Sequence, residues 1–216
     1  MTILWDWNGT LLSDVALGVA CEMEALRHFG FRPFSAEEYL HLFRFPVSSF
    51  YALHGVTEEA YPAVAQRWSE NYTKGFPTTA LRADTLDCLS RLREVGVQQF
   101  ILSATREDLL LEQVRHFPSL PPLLDGVYGI GNIYAAGKVA RALEIMDALG
   151  LKRQDTILIG DTLHDAEVAG EAGIRCLLVE GGHQAREVLD TAGLPVFASL
   201  THAMDHLLQE VLEVRS

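Results

Sequence analysis

The sequence predicts an α/β fold: a doubly wound, Rossmann-like parallel sheet with helices on both faces and a small all-helical cap inserted after the first strand. Three observations carry this. Short apolar runs, each long enough for one buried strand, recur at 2–5, 99–103, 126–130, 156–159 and 175–179. Helical periodicities separate most of them, and strands alternating with helices call for a parallel sheet. Between Asp14 and Pro77 no strand pattern occurs.

Residues 2–5 form the first strand, and Asn8-Gly9 breaks it with a turn signal. Asp6 therefore stands where a strand opens into a loop, the sheet edge at which α/β proteins collect ligands. Val15, Val19, Met23, Leu26 and Phe29 recur at helical spacing, closed by Gly30. After Pro33, Ser35 with Glu37 and Glu38 reads as an N-cap with early acidic residues. That helix runs towards Phe43, and Pro46 interrupts it. Thr57-Glu58-Glu59 opens another, through Tyr61, Val64 and Trp68 to Tyr72. From about Leu81 the alternation begins, with a helix carried by Leu86, Leu89 and Leu92 that ends near Gly96. Strand 99–103, a helix over 107–116, a loop at Pro118, Pro121 and Pro122, and strand 126–130 follow. Lys138 opens a helix closed by Gly150. Strand 156–159, a helix ending near Gly173 and strand 175–179 come next. A short apolar piece at Val196-Phe197 precedes a last helix from Thr201, capped by Ser199. The chain thus divides into an α/β core, 1–13 with 80–216, and a helical unit, 14–79.

At 216 residues and 49% hydrophobic content there is room for one domain plus a modest insertion. Against 17 basic residues stand 29 acidic ones, a formal charge of −12. That argues against a nucleic-acid backbone or an anionic membrane surface as partner. A phosphorylated substrate would be repelled at long range, so the site must supply cations, and Lys138 and a divalent metal are the candidates. Cys21, Cys88 and Cys176 are odd in number, widely separated and without metal-ligand spacing. They read as reduced core residues. With no signal-peptide pattern and no apolar run of bilayer length, the expectation is a soluble cytoplasmic protein. The sequence assigns no oligomeric state.

Four segments carry the chemistry: Asp6-Trp7-Asn8-Gly9-Thr10, Ser103-Ala104-Thr105, Gly137-Lys138, and Gly160-Asp161 with Asp165. Each residue alone has a bland alternative, such as a turn former, an N-cap or a surface lysine. Together, in this order, they resemble the haloacid dehalogenase superfamily of phosphotransferases, in its phosphoglycolate phosphatase-like branch. That pattern is an Asp nucleophile in D-x-D-G-T, a Ser or Thr ending the second strand, a Lys, and an acidic pair in G-D-x-x-x-D. The resemblance spans the whole chain and departs at one position, where Asn8 replaces the second Asp.

The resemblance implies a Mg²⁺-dependent phosphatase acting on a small phosphorylated metabolite through an aspartyl phosphate on Asp6. Gly9, Thr10, Ser103, Ala104, Thr105 and Lys138 would hold the phosphoryl group. Asp6, the main-chain carbonyl of Asn8 and Asp161 would ligate Mg²⁺, with Asp165 acting through a water or by holding Lys138. The helical unit would be a cap closing over the site. Within it, Arg44 among aromatics before Pro46 could reach an anionic substrate group or snorkel over apolar surface. His164, between the acidic pair, is a further candidate for moving protons.

In the family the residue at position 8 also shuttles a proton to the leaving group, which an amide cannot do. Losing general acid–base help costs roughly 10²–10⁴-fold, about 3–5 kcal/mol of barrier. The expectation is an enzyme slow on alkyl esters, less impaired on aryl or acyl phosphates, and accelerated by Asn8→Asp. A phosphate-binding or regulatory protein with little turnover is the reading from another class. A phosphonatase-like C–P hydrolase needs a cap lysine, and Lys74, near the end of the helical unit, is poorly placed for that. A metal-free dehalogenase is opposed by the acidic pair.

Overall fold

The computed structural model describes residues 1–132, 134 and 137–215, the last five as backbone only. In chain order, β1 (Thr2–Trp5) and β2 (Leu12–Ser13) precede helices α1 (Val15–His28), α2 (Ala36–Leu42), α3 (Val47–Leu53) and α4 (Tyr61–Gly75). Then come β3 (Ala80–Leu81), α5 (Thr85–Glu94), β4 (Gln98–Arg106), α6 (Glu107–Arg115), β5 (Gly126–Ile130) and α7 (Lys138–Leu149). The chain finishes with β6 (Thr156–Gly160), α8 (Leu163–Ala172), β7 (Arg175–Val179), α9 (Arg186–Leu189), β8 (Val196–Phe197) and α10 (Leu200–Arg215).

Six strands form one parallel sheet in the order β5-β4-β1-β6-β7-β8. From β1 the chain builds outward through β4 and β5, then crosses back to add β6, β7 and β8 on the other side. Loops leaving the strand ends on either side of β1 diverge, which opens a crevice at that switch point.

Side chains along each strand alternate between two apolar layers. Ile3, Trp5, Ile157, Ile159, Leu177 and Val179 face the layer that holds α5, α6 and α10. Leu4, Leu158, Cys176 and Leu178 face the layer that holds α7, α8 and α9. Both faces are covered, so the strands read as unbroken apolar runs rather than alternating ones. The doubly wound fold with a helical cap is therefore as expected.

Helices α1–α4 have an apolar cluster of their own around Phe34, Tyr39, Phe43, Phe50 and Tyr51. The short strands β2 and β3 pair antiparallel, Leu12 opposite Leu81 and Ser13 opposite Ala80. The helical segment thus leaves the core and returns to it at one place.

Some boundaries differ from expectation for local reasons. Pro46 ends the α2 pattern but also stands at the N-cap of α3, a position where its missing N–H costs nothing. Helix α4 begins at Tyr61 because the Ala60 N–H is taken by the Thr57 hydroxyl, 3.2 Å away, in a preceding turn. Ser35 and Glu38 close a capping box on α2. The Ser199 hydroxyl accepts from the His202 N–H at 3.3 Å, capping α10. All three cysteines are free and buried. Among the described residues no helix is long and apolar enough to cross a membrane.

Candidate active site

Asp6 leaves the end of β1 with its N–H donating to the Ile159 carbonyl of β6, 2.9 Å away, and the residue is 8% exposed. Lys138 is the first residue of α7 and is buried. Its ammonium donates to Asp6 Oδ1, and to Asp165 Oδ1 at 2.6 Å. Asp165 Oδ2 accepts from the Thr162 N–H (3.1 Å) and hydroxyl (2.7 Å) in a capping box that opens α8. Burial works against an ionised Asp165, yet Lys138 and these donors hold it below the usual carboxylate range. Asp6 has fewer donors. Burial pushes its carboxyl well above the ordinary value, Lys138 opposes this, and Asp165 and Asp161 add to it. Burial also disfavours the Lys138 charge, but the two carboxylates outweigh that and raise it.

Asp161 follows β6 and is fully buried. Its Oδ1 accepts from the Thr10 hydroxyl at 2.9 Å, and its Oδ2 from the His183 N–H at 2.5 Å. This close approach requires glycine on both sides. A Cβ at Gly9, where φ is +75°, would lie 2.3 Å from Asp161 Oδ2, and one at Gly182 would lie 2.1 Å from the same atom. Carboxylate oxygens of Asp6, Asp161 and Asp165 come within 4.8 Å of one another. Two of these three buried carboxylates share one lysine and Asp161 has none, a surplus of negative charge on hard oxygen donors. That donor set fits Mg²⁺, whose charge would favour ionised Asp6.

The Asn8 side chain is engaged on both ends. Its amide N–H groups donate to Asp14 Oδ2 and to the Tyr72 hydroxyl, each at 2.8 Å, and its Oδ1 accepts from the Thr105 hydroxyl at 2.8 Å. Asp14 is buried and also accepts from Tyr72 (2.5 Å) and the Gly9 N–H (2.8 Å). Burial raises the Asp14 carboxyl, but His183 and these donors bring it below the usual range. The His183 Nε2 lies 3.5 Å from Asp14 Oδ1. Burial disfavours the imidazolium, yet Asp14, Asp161 and Asp6 lift it to about 9. An ionised carboxylate at 14 needs donors opposite it, and Asn8 supplies one. A carboxylate at position 8 would face another carboxylate, so Asn8→Asp alone would trade a hydrogen bond for a repulsion.

A cavity of about 140 Å³ lies between the sheet edge and the helical segment. Asp6, Asn8, Ser103, Thr105, Lys138 and Asp161 line one side of it, Ala104 joins them, and aromatic rings of α2, α3 and α4 line the other. The Ser103 hydroxyl accepts from the Thr105 N–H at 3.0 Å. Two expected phosphate contacts are spoken for: the Gly9 N–H holds Asp14, and the Thr10 hydroxyl holds Asp161. Arg44 is not brought to the site. It is exposed, and its Nε donates to the Leu42 carbonyl at 3.1 Å. Phe43 and Phe45 both turn into the cavity, and in extended chain the residue between them faces away. His164 lines the cavity, stacked on Phe45 with ring centres 4.3 Å apart.

Sequence reasoning missed His183, Asp14, Tyr72 and Glu22, all of which line this cavity. Only His183 left a signal: Gly181-Gly182-His183 follows an apolar strand, the pattern that marked Asp6 and Asp161.

A family model described as haloacid dehalogenase-like hydrolase matches residues 3–179. Phosphoglycolate phosphatase 1 of Pseudomonas aeruginosa is 24% identical over 212 residues, covering 92% of this chain and 76% of that protein. Tyrosine-protein kinase PtkA of Mycobacterium tuberculosis is 23% identical over 203 residues, covering 93% and 68%. The crystal structure of a predicted phosphatase from Clostridium acetobutylicum superposes with a TM-score of 0.85 at 20% identity, over 96% of this chain and 98% of that one.

Proposed function

The chain belongs to the haloacid dehalogenase-like hydrolase family, and on that premise we propose that it is a Mg²⁺-dependent phosphatase of small phosphorylated metabolites that works through an aspartyl phosphate on Asp6. One observation carries this reading: the Lys138 ammonium bridges Asp6 and Asp165, with Asp161 alongside, on the wall of a single cavity. Asp6, the Asn8 main-chain carbonyl and Asp161 would hold the metal. When bound, Mg²⁺ neutralises charge on the phosphoryl oxygens.

An Asp6 oxygen attacks phosphorus as the ester P–O bond breaks, and Lys138 with the Ser103–Thr105 segment holds the phosphoryl group in line. The departing alkoxide takes its proton from water, because Asn8 has none to give. A water molecule then attacks phosphorus, the bond to Asp6 breaks, and inorganic phosphate leaves with the carboxylate restored. Asp165 positions Lys138. Residues 14–79 act as a cap that shields the reacting centre from bulk water and supplies the contacts for the alcohol. The name of the Pseudomonas relative supports a small phosphate ester as substrate class.

Asn8 favours a rival reading, a phosphate binder with little turnover. Incubation with Mg²⁺ and p-nitrophenyl phosphate separates the two. Metal-dependent phosphate release that falls to background in Asp6→Asn is the expected result. Phosphate binding without release would establish the rival.

A further inference from the structure

One wall of the cavity holds a carboxyl that the chemistry above does not use. Glu22 of α1 is 3% exposed and lines the cavity, and its Oε2 has no hydrogen-bond partner among the described residues. The hydroxyl of Tyr51, 1% exposed and on the same cavity, faces Glu22 without closing a well-formed hydrogen bond to it. Tyr61 packs on Tyr51 with ring centres 5.5 Å apart, and Trp68 stacks on Tyr72 at 4.8 Å. All four rings line the cavity. Burial lifts the Glu22 carboxyl to about 8, with Tyr51 and His183 opposing only in part. Burial together with Glu22 raises the Tyr51 and Tyr61 phenols in turn.

A buried carboxyl oxygen without a partner is unfavourable until something pairs with it. Three of the basic side chains described on this cavity are already engaged, and His164 pairs through Nδ1 with Glu167 at 3.0 Å, which leaves only its Nε2 unpartnered. Lys138 serves Asp6 and Asp165. Arg106 is bidentate to Asp108 at 2.6 and 2.9 Å. His183 stands between Asp14 and the Tyr39 hydroxyl. The cavity therefore offers an unpaired acceptor and aromatic faces, with no spare charge for a second acidic group. A polyol would use the acceptor but not the rings. A carboxylate would gain only a hydrogen bond from the protonated Glu22, with no ion pair, whereas an ammonium favours the ionised form of Glu22 and pairs with it. An ammonium group uses both, through the ion pair and through the faces of the rings.

Resting on the phosphatase reading, we propose that the substrate is the phosphate ester of an amino alcohol, its ammonium received by Glu22 and the Tyr51 hydroxyl in the aromatic part of the cavity. Such an alcohol also suits a site with Asn8. An ammonium near the ester oxygen withdraws electron density, so the alkoxide leaves more readily without a general acid.

Calorimetric titration with ethanolamine and choline, against glycerol and glycolate, tests the subsite without any turnover. One of the two amino alcohols is expected to bind at least about tenfold more tightly than glycerol or glycolate, some 1.4 kcal/mol. Glu22→Gln, which keeps the side-chain shape, should erase that preference, and Tyr51→Phe should weaken it. In turnover, kcat/KM for ethanolamine phosphate or choline phosphate should exceed that for glycerol phosphate and phosphoglycolate, with the ratio collapsing in Glu22→Gln. Equal or tighter binding of glycerol or glycolate overturns the proposal, and so does a preference that survives Glu22→Gln. Release of p-nitrophenol in those cases leaves the phosphatase reading standing. Amino-alcohol binding with no phosphate released from any ester supports the subsite and overturns the phosphatase reading.

Discussion

At position 8 the choice between Asn and Asp is a choice about Asp14. The amide donates to a carboxylate that already accepts from Tyr72 and Gly9, so all four groups are satisfied in one buried cluster. Asn8→Asp replaces a 2.8 Å hydrogen bond with two facing carboxylates. The expected cost is on the order of 1–3 kcal/mol, read as a lower Tm, with no gain in kcat. Adding Asp14→Asn restores a donor on the other side, so the double variant should recover stability and turn over faster than the parent. A double variant as unstable as the single one would show that the pairing is not what selects Asn8. Glu22 makes a second test at this scale. Its carboxyl loses its proton near 4 in an unfolded chain but near 8 when folded. Between those values the folded state holds a proton that the unfolded state has released, so stability falls as pH rises. The groups facing Glu22 are Tyr39 of α2, Tyr51 of α3, Tyr61 of α4 and His183 after β7, and burial prevails over them. Glu22→Gln should flatten that decline, so its Tm gains on the parent from pH 6 to pH 8. Parallel Tm curves would contradict it.

The elements that deliver the site are strand ends. Asp6 leaves β1, Ser103 and Thr105 lie near the end of β4, Asp161 leaves β6 and His183 lies beyond β7. Three of these were legible in the sequence because a polar residue of suitable chemistry directly follows an apolar run. His183 left only the glycine pattern after an apolar run, which does not reveal that its backbone N–H is the group acting on Asp161. Tyr72 and Asp14 escaped for another reason. Each fits the local helix pattern, and only the packing of α4 against α1 brings them together. Arg44 was misplaced because a composition of Arg among aromatics says nothing about which way an extended chain turns each residue. The loop after β7 also provides a test. Gly182→Ala would set a methyl group 2.1 Å from Asp161 Oδ2. The Mg²⁺ concentration giving half of the metal-induced Tm rise should increase at least about tenfold. Gly170→Ala on α8, where a Cβ meets nothing within 4 Å, should leave it unchanged.

Across the whole molecule, the core carries the charge cluster and the helical segment lines the opposite side of the cavity beside it. Removing its one ammonium by Lys138→Met leaves Asp6 and Asp165 buried without their cation. A loss of about 3–5 kcal/mol is expected, visible as a fall in Tm. Adding Asp6→Asn should recover part of it, because the two residues share one interaction. Additive losses would mean that they do not. The two-layer sheet architecture was readable from the unbroken apolar runs. What crosses between the sheet and the helices was not: the Ala185 N–H meets the Leu40 carbonyl at 2.9 Å, and the Gln184 side chain meets the Phe43 carbonyl at 2.7 Å.

The pairing of Ser13 with Ala80 gives the helical segment neighbouring ends. A module attached through adjacent ends can be exchanged for another of different length without altering the sheet. Such an exchange would carry the choice of alcohol with it and leave phosphoryl handling behind. In this protein the division is incomplete, because Asp14 and Tyr72 grip Asn8 from the exchangeable side. A transplanted module that lacks those two residues would leave the turn after Asp6 loose, so selectivity and rate would change together.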